Sequence, residues 1–253
     1  MSADTAAAYD AWYATPLGAA AHALELAVVE DMARPRAGER ALDVGCGTGV
    51  YTAWLAASGV AVTGIDIDSA RLDAARRKLP AVTFLTADAM ALPFRDGEFD
   101  LVLAVTLLCF LDEHRRQAVV AELVRVTRPG GRIVIGELAR ASLWAAQRRL
   151  KGWRGSATWR RAHFTTAGEL RGLLAGAGAG NVETRYGLYL PPWSALPVVA
   201  QAPSIERIAR PLGPLGAAFV AARGERPSTS PASSSPTGST GAASTTRKEQ
   251  RTP

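Results

Sequence analysis

Ala41-Leu42-Asp43-Val44-Gly45-Cys46-Gly47-Thr48-Gly49 decides the fold. A short apolar run, Arg40–Val44, leads into three alternating glycines, and a helix-like stretch follows over Val50–Ala57, with Tyr51, Trp54 and Leu55 at helical spacing. Strand, glycine turn and helix together open a parallel α/β sheet whose ligand sits where the strand ends. Glycine allows a sharp turn there and a close approach to a ligand with no side chain between. Glycine-rich turns are common, so the weight falls on the surroundings of this one.

Outward from the loop, strand-like and helix-like segments alternate. Ala61–Ile65, Val82–Thr86, Leu101–Val105 and Arg132–Gly136 read as strands. Leu101–Val105 is apolar throughout, as expected of a strand buried on both faces. Ala70–Leu79 reads as a helix with Ser69 as its N-cap and Pro80 beyond its end. Glu113–Thr127 is a third helix, ended by Pro129-Gly130-Gly131. Thr166 and Glu169 form a capping-box pattern that opens a helix over Glu169–Ala177. Val182–Tyr189 and Ala217–Ala222 complete seven strands.

The whole chain has 253 residues, enough for one α/β domain with appendages. Lys and Arg number 29 against 23 Asp and Glu, and all but Lys78, Lys151 and Lys248 of the basic residues are arginine. Such an excess fits anionic partners and fits coding bias equally. Cys46 and Cys109 are the only cysteines, too few for a disulfide scaffold and without zinc-site spacing, so no metal is expected. No secretory signal is visible over Met1–Gly18, and the longest apolar runs, Leu101–Leu111 and Leu212–Ala222, fall short of the roughly 20 residues that cross a bilayer. A cytoplasmic location is the expectation. From Pro227 to Thr246 the chain holds only Pro, Ser, Thr, Ala and Gly, so residues 225–253 are expected to form a disordered tail.

Asp66 lies 21 positions after Gly45, at the end of the second strand. A carboxylate there can accept both ribose hydroxyls of a nucleoside. That spacing also suits NAD. However, the glycines read GxGxG rather than GxGxxG, and Asp43 precedes them. An acid in the loop opposes a pyrophosphate and favours a ligand bearing an amino group and a sulfonium.

With these residues in register the chain resembles the class I S-adenosylmethionine-dependent methyltransferases, in particular the small-molecule branch with the ubiquinone/menaquinone C-methyltransferases. The resemblance spans about Tyr9 to Ala222. It implies a Rossmann-like, mostly parallel seven-stranded sheet with helices on both faces and the last strand antiparallel. It also implies that Asp43, Gly45, Cys46, Gly47 and Gly49 wrap the methionine end of the cofactor, and that Asp66 and Ile67 hold the ribose end. Thr86-Ala-Asp88-Ala89-Met-Ala-Leu-Pro-Phe94 matches the family's third motif, where Asp88 accepts the adenine amino group and Ala89 contacts the ring through its backbone. Val126-Thr-Arg-Pro129-Gly130-Gly131 before Ile133-Val-Ile matches a further segment. Residues 1–37 are read as an N-terminal helical cap on a cofactor domain over 38–224. In related enzymes such a cap lids the cofactor, which assigns Tyr9 and Tyr13 to it.

The acceptor is less legible. Val105-Thr106-Leu107-Leu108 lacks the Asn/Asp-Pro-Pro-Tyr pattern of enzymes that methylate adenine or amide nitrogens, which favours a small molecule over nucleic acid. RNA or protein methylation and non-catalytic cofactor binding stand as alternatives. No catalytic base is assigned, because in-line methyl transfer needs alignment and exclusion of water above all. Leu138–Gly168 has no Asp or Glu but seven basic residues and Trp144, Trp153 and Trp159. As a cover over the acceptor it would place Trp153 and Arg154 beside Trp12 and Thr106. It could equally rest on anionic lipid, or be a solvated helix packed on the core.

Overall fold

A computed structural model describes residues 10–228. β1 (Arg40–Val44), β2 (Ala61–Asp66), β3 (Thr83–Thr86), β4 (Phe99–Val105), β5 (Thr127–Leu138), β6 (Gly180–Gly187) and β7 (Phe219–Glu225) form one sheet in the order β3-β2-β1-β4-β5-β7-β6. β1 to β5 are parallel, and β7 runs antiparallel to both of its neighbours. Strand order reverses between β1 and β4, which opens a crevice at their carboxyl ends.

β4 shows why its sequence is apolar without alternation. Leu101, Leu103 and Val105 pack with Leu24, Val29 and Met32 of α1 (Pro16–Ala33) and with Leu55 of α2 (Val50–Ala57). Val102 and Ala104 face the other way, onto Val119 and Leu123 of α4 (Glu113–Val126) and Leu170 and Leu174 of α7 (Ala167–Gly176). Each large side chain so buried favours the fold by about 1.5–3 kcal/mol. α1, within the segment read as a cap, thus also supplies one layer of the core.

Boundaries differ from the sequence reading where side chains compete for the first amides of a helix. α3 (Ser69–Lys78) is capped by Asp68, whose Oδ1 accepts from the amides of Ala70 and Arg71, and Ser69 is its first residue. A carboxylate ahead of the serine wins because its charge also suits the positive helix end. The capping box is present, with Thr166 itself the N-cap, so α7 opens at Ala167 rather than Glu169. β5 starts at Thr127, paired with Phe99, and the Pro-Gly-Gly turn is a bulge inside it with Gly130 at φ +73°.

Two excursions leave the sheet at the carboxyl end of β5. α5 (Leu143–Trp153) and α6 (Ala157–Arg161) lie between β5 and α7, and α8 (Leu196–Val199) and α9 (Ala202–Ala209) between β6 and β7. Tyr9 and the Ser/Thr/Pro-rich stretch from Thr229 onward lie outside the described residues.

Candidate active site

The chain turns out of β1 through Gly45, Gly47 and Gly49 at φ +73°, +55° and +84°, conformations that strain any side-chain-bearing residue. Space is also short at Gly45, where a Cβ would come within 2.9 Å of Leu107 Cδ1. The loop's amides turn inward. Gly45 and Cys46 donate to the Ile65 carbonyl at 2.8 and 2.9 Å, and Gly49 donates to Cys46 at 2.9 Å. Gly47 donates to Asp66 Oδ2 at 2.9 Å.

An anion nest needs such amides free. Here four are spent within the protein, and two carboxylates stand beside them. The donor set therefore fits a ligand carrying positive charge and not a pyrophosphate. Asp43 is buried, and its Oδ2 accepts from the Thr52 hydroxyl at 2.6 Å. Burial pushes its carboxyl up to about 7; the Thr52 bond opposes the shift and the nearby Asp66 charge adds to it. Asp66 uses its second oxygen, Oδ1, to accept from the Asp68 amide at 2.9 Å.

Gly45, Asp66, Ile67, Asp88 and Ala89 line one cleft of about 130 Å³, together with Met90, Leu107 and Leu111. A complete site for a ligand of cofactor size exceeds roughly 300 Å³, so this cleft encloses only one end of it. Ile67 is 71% exposed, an unusual state for an isoleucine and an apolar wall for a flat group. Asp88 is locally ordered, its Oδ1 accepting from the Met90 amide at 2.9 Å. Cys46 packs instead with Leu72, Ala75 and Phe84. Burial pushes its thiol far up, and that of Cys109 likewise, so neither supplies a thiolate. A larger groove, about 890 Å³, lies between α4 and α7 and contains none of the residues named for the cofactor or the acceptor.

Thr106 follows β4 at φ +52°, a strained state for a β-branched residue. The turn after it is held by Glu137 at the end of β5, whose carboxylate accepts from the amides of Leu108 at 2.6 Å and Cys109 at 3.2 Å. Burial pushes Glu137 up to about 7.

The N-terminal segment is tied to the glycine loop. Asp10 accepts from the Thr48 hydroxyl at 2.7 Å and pairs with Lys78 Nζ at 2.6 Å. Trp12 meets Tyr13 edge to face at 4.9 Å and Trp144 of α5 at 6.3 Å. Tyr13 stands against His22 at 5.1 Å, and His22 against Tyr51 at 5.3 Å. The Tyr51 hydroxyl donates to Glu25 at 3.4 Å. Burial pushes Glu25 up to about 7, with Arg148 opposing the shift. His22 Nδ1 is buried and has no hydrogen-bond partner among the described residues. Trp153 and Arg154 do not join this group. Trp153 is 90% exposed on the outer side of α5, and Trp144 occupies the inner side. Asp10, Glu25 and Glu137 were not singled out in the sequence, although a lone acid in the apolar run Leu24–Val29 was a signal.

Residues 42–135 match the methyltransferase domain family. An uncharacterized protein of Mycobacterium tuberculosis is 38% identical over 191 residues, 74% of this chain and 62% of that one. A demethylmenaquinone methyltransferase of Beutenbergia cavernae is 40% identical over 119 residues, 47% of this chain and 48% of that one. A solved S-adenosylmethionine-dependent methyltransferase of Thermotoga maritima, described as a possible histamine N-methyltransferase, shares the fold. Its TM-score is 0.67 at 22% identity, over 86% of this chain and 94% of that one. The chain spans about half to three fifths of the length of these curated relatives. In sheet order, glycine loop and domain match the chain resembles the class I S-adenosylmethionine-dependent methyltransferases. Within that class it resembles the menaquinone methyltransferases, and S-adenosylmethionine is the cofactor of the class.

Proposed function

We propose that this protein transfers the methyl group of S-adenosylmethionine to a small-molecule acceptor. One observation carries the reading: Gly45, Asp66, Ile67, Asp88 and Ala89, distant in sequence, line a single cleft at the carboxyl edge of the sheet. On this reading Asp66 accepts the ribose hydroxyls while keeping Gly47 in place. Ile67 and Ala89 flank the adenine, and Asp88 accepts its amino group. Asp43, Cys46, Gly47 and Gly49 shape the methionine end, with Tyr13 over it. The bound cofactor supplies a methyl carbon, activated by the sulfonium, for in-line displacement.

The protein's own part is to orient the acceptor and exclude water. Trp12, Tyr13 and Trp144 offer apolar aromatic faces, which suit a small molecule better than a polyanion such as RNA. Thr106, held in its strained turn through Glu137, borders the same end of the sheet. Residues 10–37 act as the cap of a cytoplasmic enzyme. The test is calorimetry with S-adenosylmethionine, S-adenosylhomocysteine and NAD, followed by labelled methyl transfer into a metabolite extract. Binding of both adenosyl compounds and label in a small product are expected. Binding of NAD alone would overturn the cofactor assignment, and label in RNA would overturn the acceptor class.

A further inference from the structure

α5 has apolar residues on both sides, which a helix resting on a domain surface does not need. Its inner side is explained by Trp144, Ala145 and Gly152, which are buried. Its outer side carries Leu143, Ala146, Leu150 and Trp153 at the i, i+3, i+7, i+10 spacing of a single helical stripe. All four are exposed, Trp153 by 90%. Arg149 and Lys151 flank the stripe, and Arg154 follows it.

A second apolar surface leaves the same end of the sheet. β7 starts opposite the end of β5, with Phe219 paired to Leu138, and β6 ends opposite Phe219. The connection 188–218 therefore emerges beside α5, and it exposes Trp193, Leu196 and Leu215. Trp144 Nε1 donates to the Leu190 carbonyl at 2.6 Å, and Gly216 donates to the Ala141 carbonyl at 2.9 Å, so the two segments are fastened together.

Charge separates this surface from a bare apolar patch. Residues 138–168 contain seven basic residues and no acid. The sole acid in 188–218, Glu206, is buried and accepts from the amides of Leu188 and Tyr189. The nearest acid beyond the first segment, Glu169, is engaged by Arg140 and His163. Exposed Trp and Leu bordered by Lys and Arg, without exposed acid, match the acyl boundary and headgroups of an anionic bilayer.

We propose that the outer side of α5, with the adjoining 188–218 connection, docks on an anionic lipid surface. The interaction is independent of methyl transfer, so its failure leaves the proposed activity untouched.

The test is vesicle flotation with the full chain and no cofactor. Phosphatidylcholine vesicles are compared with mixed phosphatidylcholine–phosphatidylglycerol vesicles. Binding to the mixed vesicles is expected, weakened but not abolished by high salt. Trp153→Ala combined with Leu150→Ala lowers partitioning by roughly tenfold or more, the scale of withdrawing two large apolar side chains from the interface. Lys151→Gln and Arg154→Gln each lower it by roughly fivefold. Melting temperatures stay unchanged, because these side chains point outward. No binding to mixed vesicles overturns the proposal, as does binding indifferent to all four changes. A dimer that Trp153→Ala dissociates, without lipid binding, assigns the face to a second copy instead. Tight RNA binding that survives the Trp153 change assigns the basic residues to a polyanion and also overturns it.

Discussion

Asp66→Asn probes the link between the glycine loop and the cleft. The carboxylate takes the amides of Gly47 and Asp68 on separate oxygens, each at 2.9 Å. Asparagine keeps one oxygen and must turn its NH2 group toward the other amide. One hydrogen bond to a charged acceptor is lost, worth about 1.5–3 kcal/mol, and a donor is left facing a donor. Relief of the repulsion between Asp66 and Asp43 offsets part of the stability loss, because Asp66 helps to hold the Asp43 carboxyl up. Unfolding stability is expected to fall by about 1–2 kcal/mol. Cofactor affinity should fall further, by roughly 10- to 100-fold, since the ribose loses a charged acceptor while the loop loses its tether. Urea unfolding and calorimetry with S-adenosylhomocysteine at pH 7.5 read the two effects separately. Affinity within about threefold of the parent would remove Asp66 from the ligand site. Unchanged stability with lost affinity would show that its bonds to Gly47 and Asp68 do not hold the loop.

Asp43, with its carboxyl near 7, should ionise more readily beside a cation, so affinity for S-adenosylmethionine rises with pH up to about 7 and then levels. Asp43→Asn should flatten that profile in calorimetry between pH 5.5 and 8. Glu25 also sits near 7, above its ordinary 4.5, so the folded state holds its proton more tightly than the unfolded chain. Its contribution to stability is full below about 4.5 and is lost as pH rises to 7. Glu25→Gln should therefore lose about 2–3 kcal/mol less than the parent between pH 5 and 8, as read by urea unfolding at each pH. Asp10→Ala cuts the tie to the buried Thr48 hydroxyl and to the partly exposed Lys78, so global stability should fall by about 1–2 kcal/mol. Limited proteolysis ahead of α1 should also become faster, and an unchanged cleavage rate would show that the tie does not hold the segment.

Local patterns determined much of this protein. Arg40–Val44, the three glycines and Val50–Ala57 appear in the structure with those bounds, because strand period, turn conformation and helix period are properties of neighbours in the chain. The residues proposed for the cofactor share that legibility: a strand end, a glycine turn and an acid at a set distance are written locally, and the parallel sheet brings such ends to one edge. Only the tertiary structure decided what long-range packing controls. It turned the loop amides inward to Ile65 and Asp66, and buried Asp43, Glu25 and Glu137 enough to raise their carboxyls. It also chose between two tryptophans that look alike in sequence. Trp144 turned inward and Trp153 outward, because a helix laid on the sheet buries one side and the side chain nine residues on falls on the other. Composition marked an arginine- and tryptophan-rich segment, but burial, which depends on the whole fold, determined which face of it meets solvent.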